Sequence, residues 1–353
     1  MAISAIESGY KVALLCKIST HQDLIESFGI KVINWSLNRK SINFISEIKA
    51  YREVFATINS YQPDLVHSVA LKPMLYNALQ LYSKFNYSRV YALGGLGYIF
   101  SSKKMKAKIL RYLLVAILKL AFKFRNARII LQNPDDVKLL LSLKIIESSR
   151  ISLIKGVGVD TEIFKPSKKK PEIQTVILPA RILWDKGISD FIQVAKAIKT
   201  DLPDVRFALV GAPDNHNPES VPIAKINKWV ELGIIEWWGH KNEMHKIYNL
   251  ASIVCFPSYH EGFPKSLLEA ASCGIPIVAY DVPGSREIVI NEKNGLLVPL
   301  KSVIKLTNAI KTLLNDSYLS NNYGLSGREL VLSEFSQEKI ASETKALWEE
   351  VLN

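Results

Sequence analysis

The strongest constraint on the fold is a repeated alternation between short apolar runs and amphipathic helical segments. KVALLCKI (11–18), RVYAL (89–93) and TVILPARI (175–182) are rich in β-branched and large apolar residues, as expected of strands buried on both faces. DKGISDFIQVAKAIK (185–199) shows the 3.6-residue apolar period of a helix. Two such series in 353 residues predict an α/β chain with two doubly wound, Rossmann-like domains facing a cleft.

The domain boundary is predicted by composition. FKPSKKKPEI (164–173) is polar and basic and contains two prolines, as is typical of a linker. We therefore expect a first domain over residues 1–160, a linker over 161–172 and a second domain over 173–353. The pattern SQEKIASETKALWEEVL (336–352) predicts a helix at the end of that second domain.

The net charge of +12 is concentrated in the first half, because residues 1–166 carry +13 and residues 167–353 carry −1. Residues 101–128 contain no acidic residue, and their basic side chains alternate with apolar ones. This pattern has two interpretations: a core-facing helix with a solvated basic face, or a peripheral helix that contacts anionic lipid. No aromatic stacking pattern accompanies the charges, so nucleic acid is not expected as a partner.

Other classes of protein are excluded by what the sequence lacks. No apolar run reaches the ~20 residues that span a bilayer, and MAISAIESGY does not have the organisation of a signal peptide. The three cysteines, Cys16, Cys255 and Cys273, lie in apolar stretches without paired spacing, which predicts reduced, buried thiols and no zinc site. We therefore expect a cytoplasmic protein.

The stretch PSYHEGFPKSLLEAASCG (257–274) follows the strand-like IVCF and places Glu261 in a turn and Glu269 on a helix. A strand, a tight turn and a helix start direct backbone N–H groups to the carboxyl end of a sheet, where anions bind. Carboxylates on either side could bind hydroxyl groups at the two ends of a ligand with a central phosphate, such as a sugar nucleotide. On this motif alone, an ordinary turn with solvated glutamates is the alternative.

Two further loops add charge at predicted strand ends. Arg181 and Lys186 follow the strand TVILP and could together neutralise a diphosphate, although surface charge beside a helix is the alternative for this pair alone. DVPGSREIV (281–289) offers Gly284 and Arg286 just beyond another strand.

Taken in order, these motifs resemble a known family. ARILWDKG, PSYHEGFPKSLLEAASCGIPIVA, VPGSREIV and NGLLV resemble the C-terminal domain of retaining glycosyltransferase family 4, which has the GT-B fold. ALGGLGYIF, LQNPDD and GVGVDTEIFKP resemble a bacterial branch that builds capsule, O-antigen and related surface glycans. The similarity runs over about residues 60–353.

The resemblance implies an activity and a location. It implies retaining transfer of a hexose or N-acetylhexosamine from a nucleotide-sugar, by family precedent a UDP-sugar, to a lipid-linked glycan acceptor. The enzyme would lie at the inner face of the plasma membrane, with peripheral contact through residues 101–128. No cofactor and no metal are expected, because protein cations replace the metal in this fold.

The resemblance also implies roles for individual residues. Glu269 would bind the ribose hydroxyls, and Glu261 would contact the transferred sugar. Arg181 and Lys186 would hold the diphosphate. The catalytic set would be Glu261, Arg181, Lys186 and His67. The further substrate-binding residues would be Glu269, Phe263, Pro264, Lys265, Ser266, Gly239, Arg286 and Lys72.

The sequence departs from the family pattern in two places. His67 matches the first position of a histidine pair, but Val69 stands at the second, so His67 is either a site residue or a packed strand-end histidine, and Lys72 is an equal candidate. The first strand and glycine loop of the family have no counterpart, which predicts an exposed sheet edge and either an upstream start or a truncated product. Two alternatives therefore stay open: a GT-B enzyme resembling UDP-N-acetylglucosamine 2-epimerase, and an inactive remnant that binds sugar nucleotides.

Overall fold

The computed structural model describes residues 1–18, 21–38, 43–80, 86–94, 96, 105–124, 126–168, 171–214 and 217–353. The chain forms two compact units. The first contains Met1–Ile154 and Ile340–Asn353, and the second contains Lys155–Lys339.

The second unit is built on one six-stranded parallel sheet with the strand order β12-β11-β10-β7-β8-β9. Its strands are β7 (Thr175–Pro179), β8 (Arg206–Val210), β9 (Glu236–Gly239), β10 (Ile253–Phe256), β11 (Ile277–Tyr280) and β12 (Gly295–Val298). Its helices are α7 (Ile188–Asp201), α8 (Ile223–Glu231), α9 (Met244–Tyr248), α10 (Lys265–Ser272), α11 (Ser285–Ile288), α12 (Val303–Asn315) and α13 (Ser317–Leu330). Every residue of β7, β10 and β11 is buried, because helices cover both faces of the sheet. This is the doubly wound arrangement that the sequence predicts.

The first unit contains two parallel sheets, β1-β2 and β3-β4-β5-β6. The strands are β1 (Ala13–Cys16), β2 (Lys31–Asn34), β3 (Leu65–Val69), β4 (Ser88–Leu93), β5 (Ala127–Leu131) and β6 (Ile151–Leu153). The helices are α1 (Ala2–Glu7), α2 (Gln22–Ser27), α3 (Phe44–Tyr61), α4 (Leu71–Ala78), α5 (Met105–Ala121), α6 (Pro134–Ser142) and α14 (Gln337–Leu352). Within the described residues, β1 and β3 each pair with one neighbour, so each leaves one edge open.

Local sequence signals explain where helices begin. Asn133 accepts a hydrogen bond from the backbone N–H of Asp136 at 2.8 Å and caps α6, whose first residue is Pro134. Asn43 caps α3 through the backbone N–H of Ile45 at 2.9 Å.

Helix α5 covers most of the basic segment and has one buried side and one exposed side. Its buried side, formed by Leu114, Ile117, Leu118 and Ala121, packs into the core of the first unit, which confirms the core-facing interpretation for that side. The same helix exposes Met105, Ile109, Tyr112 and Leu113. Lys103 and Lys104 of the predicted segment lie outside the described residues.

The C-terminal helix α14 belongs to the first unit, not to the second as its sequence position led us to expect. Ile340, Leu347 and Val351 pack against apolar residues of β4 and β5, and the hydroxyl of Ser88 donates to the backbone oxygen of Val351 at 2.6 Å. The helical pattern was predicted correctly, but an apolar stripe does not specify which sheet will cover it.

The segment predicted as a linker is packed for much of its length. Arg328 donates hydrogen bonds to the backbone oxygens of Phe164 at 2.7 Å and Thr161 at 2.9 Å. Asn249 accepts from the backbone N–H of Ser167 at 3.0 Å. These contacts tie residues 161–167 to the second unit, and the division between the units falls earlier, after Ile154.

We predict that Leu347→Ala lowers the free energy of unfolding of the first unit by about 2–5 kcal/mol, because it leaves a cavity in a packed apolar cluster. Denaturant unfolding measures the loss of unfolding free energy, and hydrogen exchange of the backbone amides in β4 and β5 shows where it occurs. Leu352→Ala, at a side chain 38% exposed, is the matched control and should change little. Equal effects of the two substitutions would contradict the packing of α14 described above.

Candidate functional site

The candidate site lies at the point where the strand order reverses in the six-stranded sheet of the second unit. Strands β7 and β10 are neighbours, and the chain continues from β7 through β8 and β9 to one side and from β10 through β11 and β12 to the other. The loops that follow two such strands diverge and leave a crevice at the carboxyl edge of the sheet, where ligands of doubly wound folds bind. The loop after β7 carries Arg181 and Lys186, and the loop after β10 carries Glu261.

Glycines allow these loops to touch backbone to backbone. Gly187 has φ +71°, and a Cβ there would lie 2.0 Å from the backbone oxygen of Pro257. A Cβ at Gly284, after β11, would lie 2.5 Å from the backbone oxygen of Gly262. Only glycine fits such close approaches, so three loops are held together at one edge.

Lys186 and Glu261 form an ion pair at this edge. The Nζ of Lys186 lies 2.6 Å from the Oε1 of Glu261, and each side chain is 13% exposed. The two residues come from separate motifs of the sequence, and the structure brings them into contact. A mostly buried pair at the carboxyl edge of the sheet places one cation where a diphosphate could reach it and one carboxylate where hydroxyl groups could.

Arg181 is more open. Its side chain is 63% exposed and lies 3.8 Å from the carboxylate of Asp214. An exposed ion pair of this length contributes little to stability. The guanidinium is therefore accessible to a ligand with two acceptor oxygens.

Glu269 lies on α10 and is 9% exposed. The Tyr248 hydroxyl donates to its Oε2 at 3.1 Å, and the Nζ of Lys265 lies 3.5 Å from its Oε1. Burial raises the pKa of Glu269 above the usual carboxyl range, and the Lys265 ammonium and the Tyr248 hydroxyl offset only part of that rise. This carboxylate is costly to bury, which is common at functional sites.

Four of the residues between the two glutamates, 263–266, form the entry to α10. The Phe263 ring packs against Gly156 and meets Phe335 edge-on at 5.6 Å, so it anchors the loop. Pro264 precedes the helix, and its backbone oxygen accepts from the N–H of Leu267 at 3.0 Å. The N–H groups of Lys265 and Ser266 are then at the positive end of the helix, where an anion is stabilised.

Gly239 and Arg286 lie on elements that flank these loops, at the end of β9 and in α11. Gly239 ends β9, and its backbone oxygen accepts from the N–H of Gly211 at 2.9 Å. Arg286 donates from Nε to Asp281 at 2.8 Å. Both are near the carboxyl edge of the sheet, but Arg286 is paired with Asp281, the residue that directly follows β11.

The remaining predicted residues, His67 and Lys72, belong to the first unit. The Nδ1 of His67 accepts from the indole N–H of Trp348 at 3.2 Å, and burial lowers the pKa of His67 to about 4, so its ring is neutral at pH 7. Lys72 pairs with Glu47 at 2.8 Å, and Tyr76 donates to the other oxygen of that carboxylate. His67 thus has the surroundings of a packed strand histidine; a role in the site stays a prediction for both residues.

Sequence reasoning missed three residues that contact the site loops: Asp190, Tyr259 and Tyr280. Asp190 accepts hydrogen bonds from both tyrosines, which are far from it in sequence. Tyr259 lies inside the motif that the sequence singled out, but no local pattern identifies its partner.

In chemical terms, this edge combines two cations and a helix start with two carboxylates. The cations and the helix start favour a diphosphate, and the carboxylates favour hydroxyl groups on either side of it. Among the residues that the structure describes, no group of three or more His, Cys, Asp or Glu side chains could hold a metal ion.

Comparison with known protein families matches most of the chain to glycosyltransferases. Residues 159–330 match the family described as glycosyl transferases group 1, and residues 2–133 match the glycosyl transferase 4-like family. A Campylobacter jejuni N,N'-diacetylbacillosaminyl-diphospho-undecaprenol alpha-1,3-N-acetylgalactosaminyltransferase is 28% identical over 93% of this chain and 88% of its own length. An Escherichia coli UDP-Gal:alpha-D-GlcNAc-diphosphoundecaprenol alpha-1,3-galactosyltransferase is 22% identical over 88% of this chain and 81% of its own.

Solved structures agree on the fold. Sucrose-phosphate synthase from Thermosynechococcus elongatus superposes with a TM-score of 0.82 at 22% identity, over 99% of this chain and 91% of that one. Anabaena HepE in complex with UDP-glucose gives a TM-score of 0.79 at 16% identity, over 99% of this chain and 94% of that one. Both support the GT-B fold that the sequence predicts.

We predict that Glu269→Gln stabilises the second unit at pH 7. Because the folded state raises the pKa of Glu269, it binds a proton more tightly than the unfolded state does. Wild-type stability at this residue is therefore greatest below the unfolded pKa and is lost as pH rises through the folded pKa. Glutamine keeps an acceptor for Tyr248 without the buried charge.

Denaturant unfolding at pH 7 and pH 4 measures this difference, which should be present at pH 7 and shrink on acidification. Glu231→Gln, at an exposed position, is the control. A destabilised Glu269→Gln protein at pH 7 would show that the carboxylate is stabilising as an ion, contrary to its burial.

Proposed function

The chain belongs to the family 4 glycosyltransferases with the GT-B fold, and we propose that it transfers a hexose or N-acetylhexosamine from a UDP-sugar to a lipid-linked saccharide. Relatives named for undecaprenol-diphosphate-linked acceptors, and a capsular polysaccharide glycosyltransferase of Staphylococcus aureus, support this acceptor class. A structural neighbour that holds UDP-glucose supports the donor class.

One observation carries the proposal: the Lys186–Glu261 ion pair, which lies between the loops after β7 and β10 and near the N-terminus of α10. Lys186 and the helix N–H groups would hold the donor diphosphate, and Arg181 would add its planar fork. Glu269, farther along α10, would accept hydrogen bonds from the ribose hydroxyls. Glu261 would hold a hydroxyl of the transferred sugar.

The chemistry then follows from charge. The bond between the sugar C1 and the phosphate oxygen breaks, negative charge develops on the diphosphate, and positive charge develops on the sugar ring. The fixed cations stabilise the leaving diphosphate, which lowers the barrier without a protein nucleophile. The acceptor hydroxyl bonds to C1 on the same face, and its proton passes to an oxygen of the departing phosphate.

Retention of configuration and independence from a metal or cofactor are part of the proposal. Same-face attack leaves the anomeric configuration unchanged. Arg181 and Lys186 supply the positive charge that a divalent cation would otherwise bring.

Helix α5 provides the proposed contact with the membrane. Met105, Ile109, Tyr112 and Leu113 are spaced so that they lie along one side of the helix, and each is more than half exposed. No acidic residue occurs in 101–128. An exposed apolar stripe amid basic residues matches a surface of anionic lipid, and this contact would place the enzyme at the inner face of the plasma membrane. None of the described helices is long and apolar enough to cross a bilayer.

We predict that Lys186→Ala lowers the transfer rate by about 100- to 1,000-fold, the usual cost of losing one group that stabilises charge in the transition state. Labelled UDP-sugars and polyprenyl-diphosphate saccharides are the substrates, and NMR of the product reads the anomeric configuration. Lys311→Ala, which removes a surface pair with Asp201, is the control. Wild-type transfer by Lys186→Ala, or an inverted product, would contradict the mechanism.

We predict that the triple substitution Ile109→Ser, Tyr112→Ser and Leu113→Ser abolishes flotation with vesicles that contain anionic lipid. Reversal of Lys103, Lys104, Lys106 and Lys108 to Glu should do the same, because each basic residue near such a surface contributes about 1 kcal/mol. Ile304→Ser, at a side chain 77% exposed in the second unit, is the control. Unchanged flotation of both variants would rule out this surface.

A further inference from the structure

Asp190 is a carboxylate buried without a cation. It lies in the first turn of α7 and is 7% exposed, and within the described part of the chain no lysine or arginine pairs with it. Its Oδ2 accepts one hydrogen bond from the Tyr280 hydroxyl at 2.7 Å and one from the Tyr259 hydroxyl at 3.1 Å. Because a buried charge is costly, two hydroxyl donors directed at one oxygen indicate a built arrangement.

Tyr259 joins the two loops that carry the ion pair. It lies two residues before Glu261, and its backbone N–H donates to the backbone oxygen of Asp185 at 2.9 Å. Its ring stacks on that of Tyr280 with centroids 6.2 Å apart and planes 24° apart. Backbone, ring and hydroxyl therefore fix Tyr259 to the loop and helix after β7 and to the last residue of β11.

The hydroxyl of Tyr259 remains a donor across the physiological range. Burial, reinforced by the charge of Asp190 and the hydrogen bond to it, raises the pKa of Tyr259 to about 12. The Nζ of Lys301 lies 5.2 Å from the centre of the same ring. These contacts hold the tyrosine between a carboxylate and a cation.

We propose that Asp190, acting through Tyr259 and Tyr280, is a positioning residue that sets the distance between Lys186 and Glu261. Lys186 adjoins the Asp185 carbonyl that binds Tyr259, and Glu261 is two residues beyond the same tyrosine. Loss of the hydroxyl contact loosens one side of the ion pair while the glycine contacts keep the loops in place. The catalytic consequence rests on the proposed function, but the geometric claim does not.

Tyr259→Phe tests the geometry without an activity assay. Lysine acetylation followed by mass spectrometry reports how well each ammonium is protected. Lys186, paired and 13% exposed, should react slowly in the wild type and several-fold faster in Tyr259→Phe. Lys199, which donates to the backbone oxygen of Gly233 at 2.7 Å, should be unchanged and serves as the internal control. An unchanged Lys186 rate overturns the proposal.

The kinetic arm separates positioning from stability. With donor and acceptor saturating, kcat of Tyr259→Phe should fall about 10-fold or more, because small misplacements of catalytic groups are costly. Inhibition by UDP, which lacks the sugar that Glu261 would hold, should stay the same. A parallel loss of UDP binding and thermal stability, with kcat per folded molecule unchanged, would mean a structural role and overturn the proposal.

Further variants make the result specific. Asp190→Asn keeps an oxygen acceptor for both tyrosines and should retain most of the activity and the protection of Lys186, whereas Asp190→Ala should lose both. Tyr318→Phe, at an exposed tyrosine, is the control for hydroxyl removal. If the wild type neither transfers sugar nor binds UDP, the proposed function fails; the acetylation result alone then decides the positioning claim.

Discussion

The second unit depends on direct contact between backbones at the carboxyl edge of its parallel sheet. Gly187 against Pro257, and Gly284 against Gly262, leave no room for a side chain between the loops. This contact is what allows a lysine and a glutamate 75 residues apart to meet at 2.6 Å. Such an ion pair is weak evidence for stability, but it places opposite charges where the sheet leaves an opening.

Much of this second unit could be predicted from the sequence. The strand, turn and helix around Glu261 are encoded locally, because apolar β-branched runs, glycines at tight contacts and the helical period all act over a few residues. Asp190 could not be found in this way. Its two tyrosine partners come from the loop after β10 and from the last residue of β11, and only the folded second unit brings them to one carboxylate. The placement of α14 in the first unit was missed for the same reason, because its apolar stripe does not specify which sheet it packs against.

Glu269 illustrates the free-energy cost of a buried carboxylate. A solvent-exposed glutamate would cost less folding free energy, but its side chain would be flexible and hydrogen-bonded to water. Burial beneath Tyr248 keeps its oxygens in one orientation at the expense of raising its pKa. Such residues are expected to trade stability for function. Arg181 is the opposite case, because an exposed arginine costs little folding free energy and its side chain can change conformation.

The return of the final helix to the first unit bears on how the chain folds as it is made. The second unit is continuous in sequence, whereas the first requires residues 340–353 to complete the cluster around Val90, Ile130 and Ile154. During synthesis, the first unit must therefore wait with part of its core uncovered until the second has left the ribosome. The first unit is therefore the first to be synthesised but the last to complete its fold.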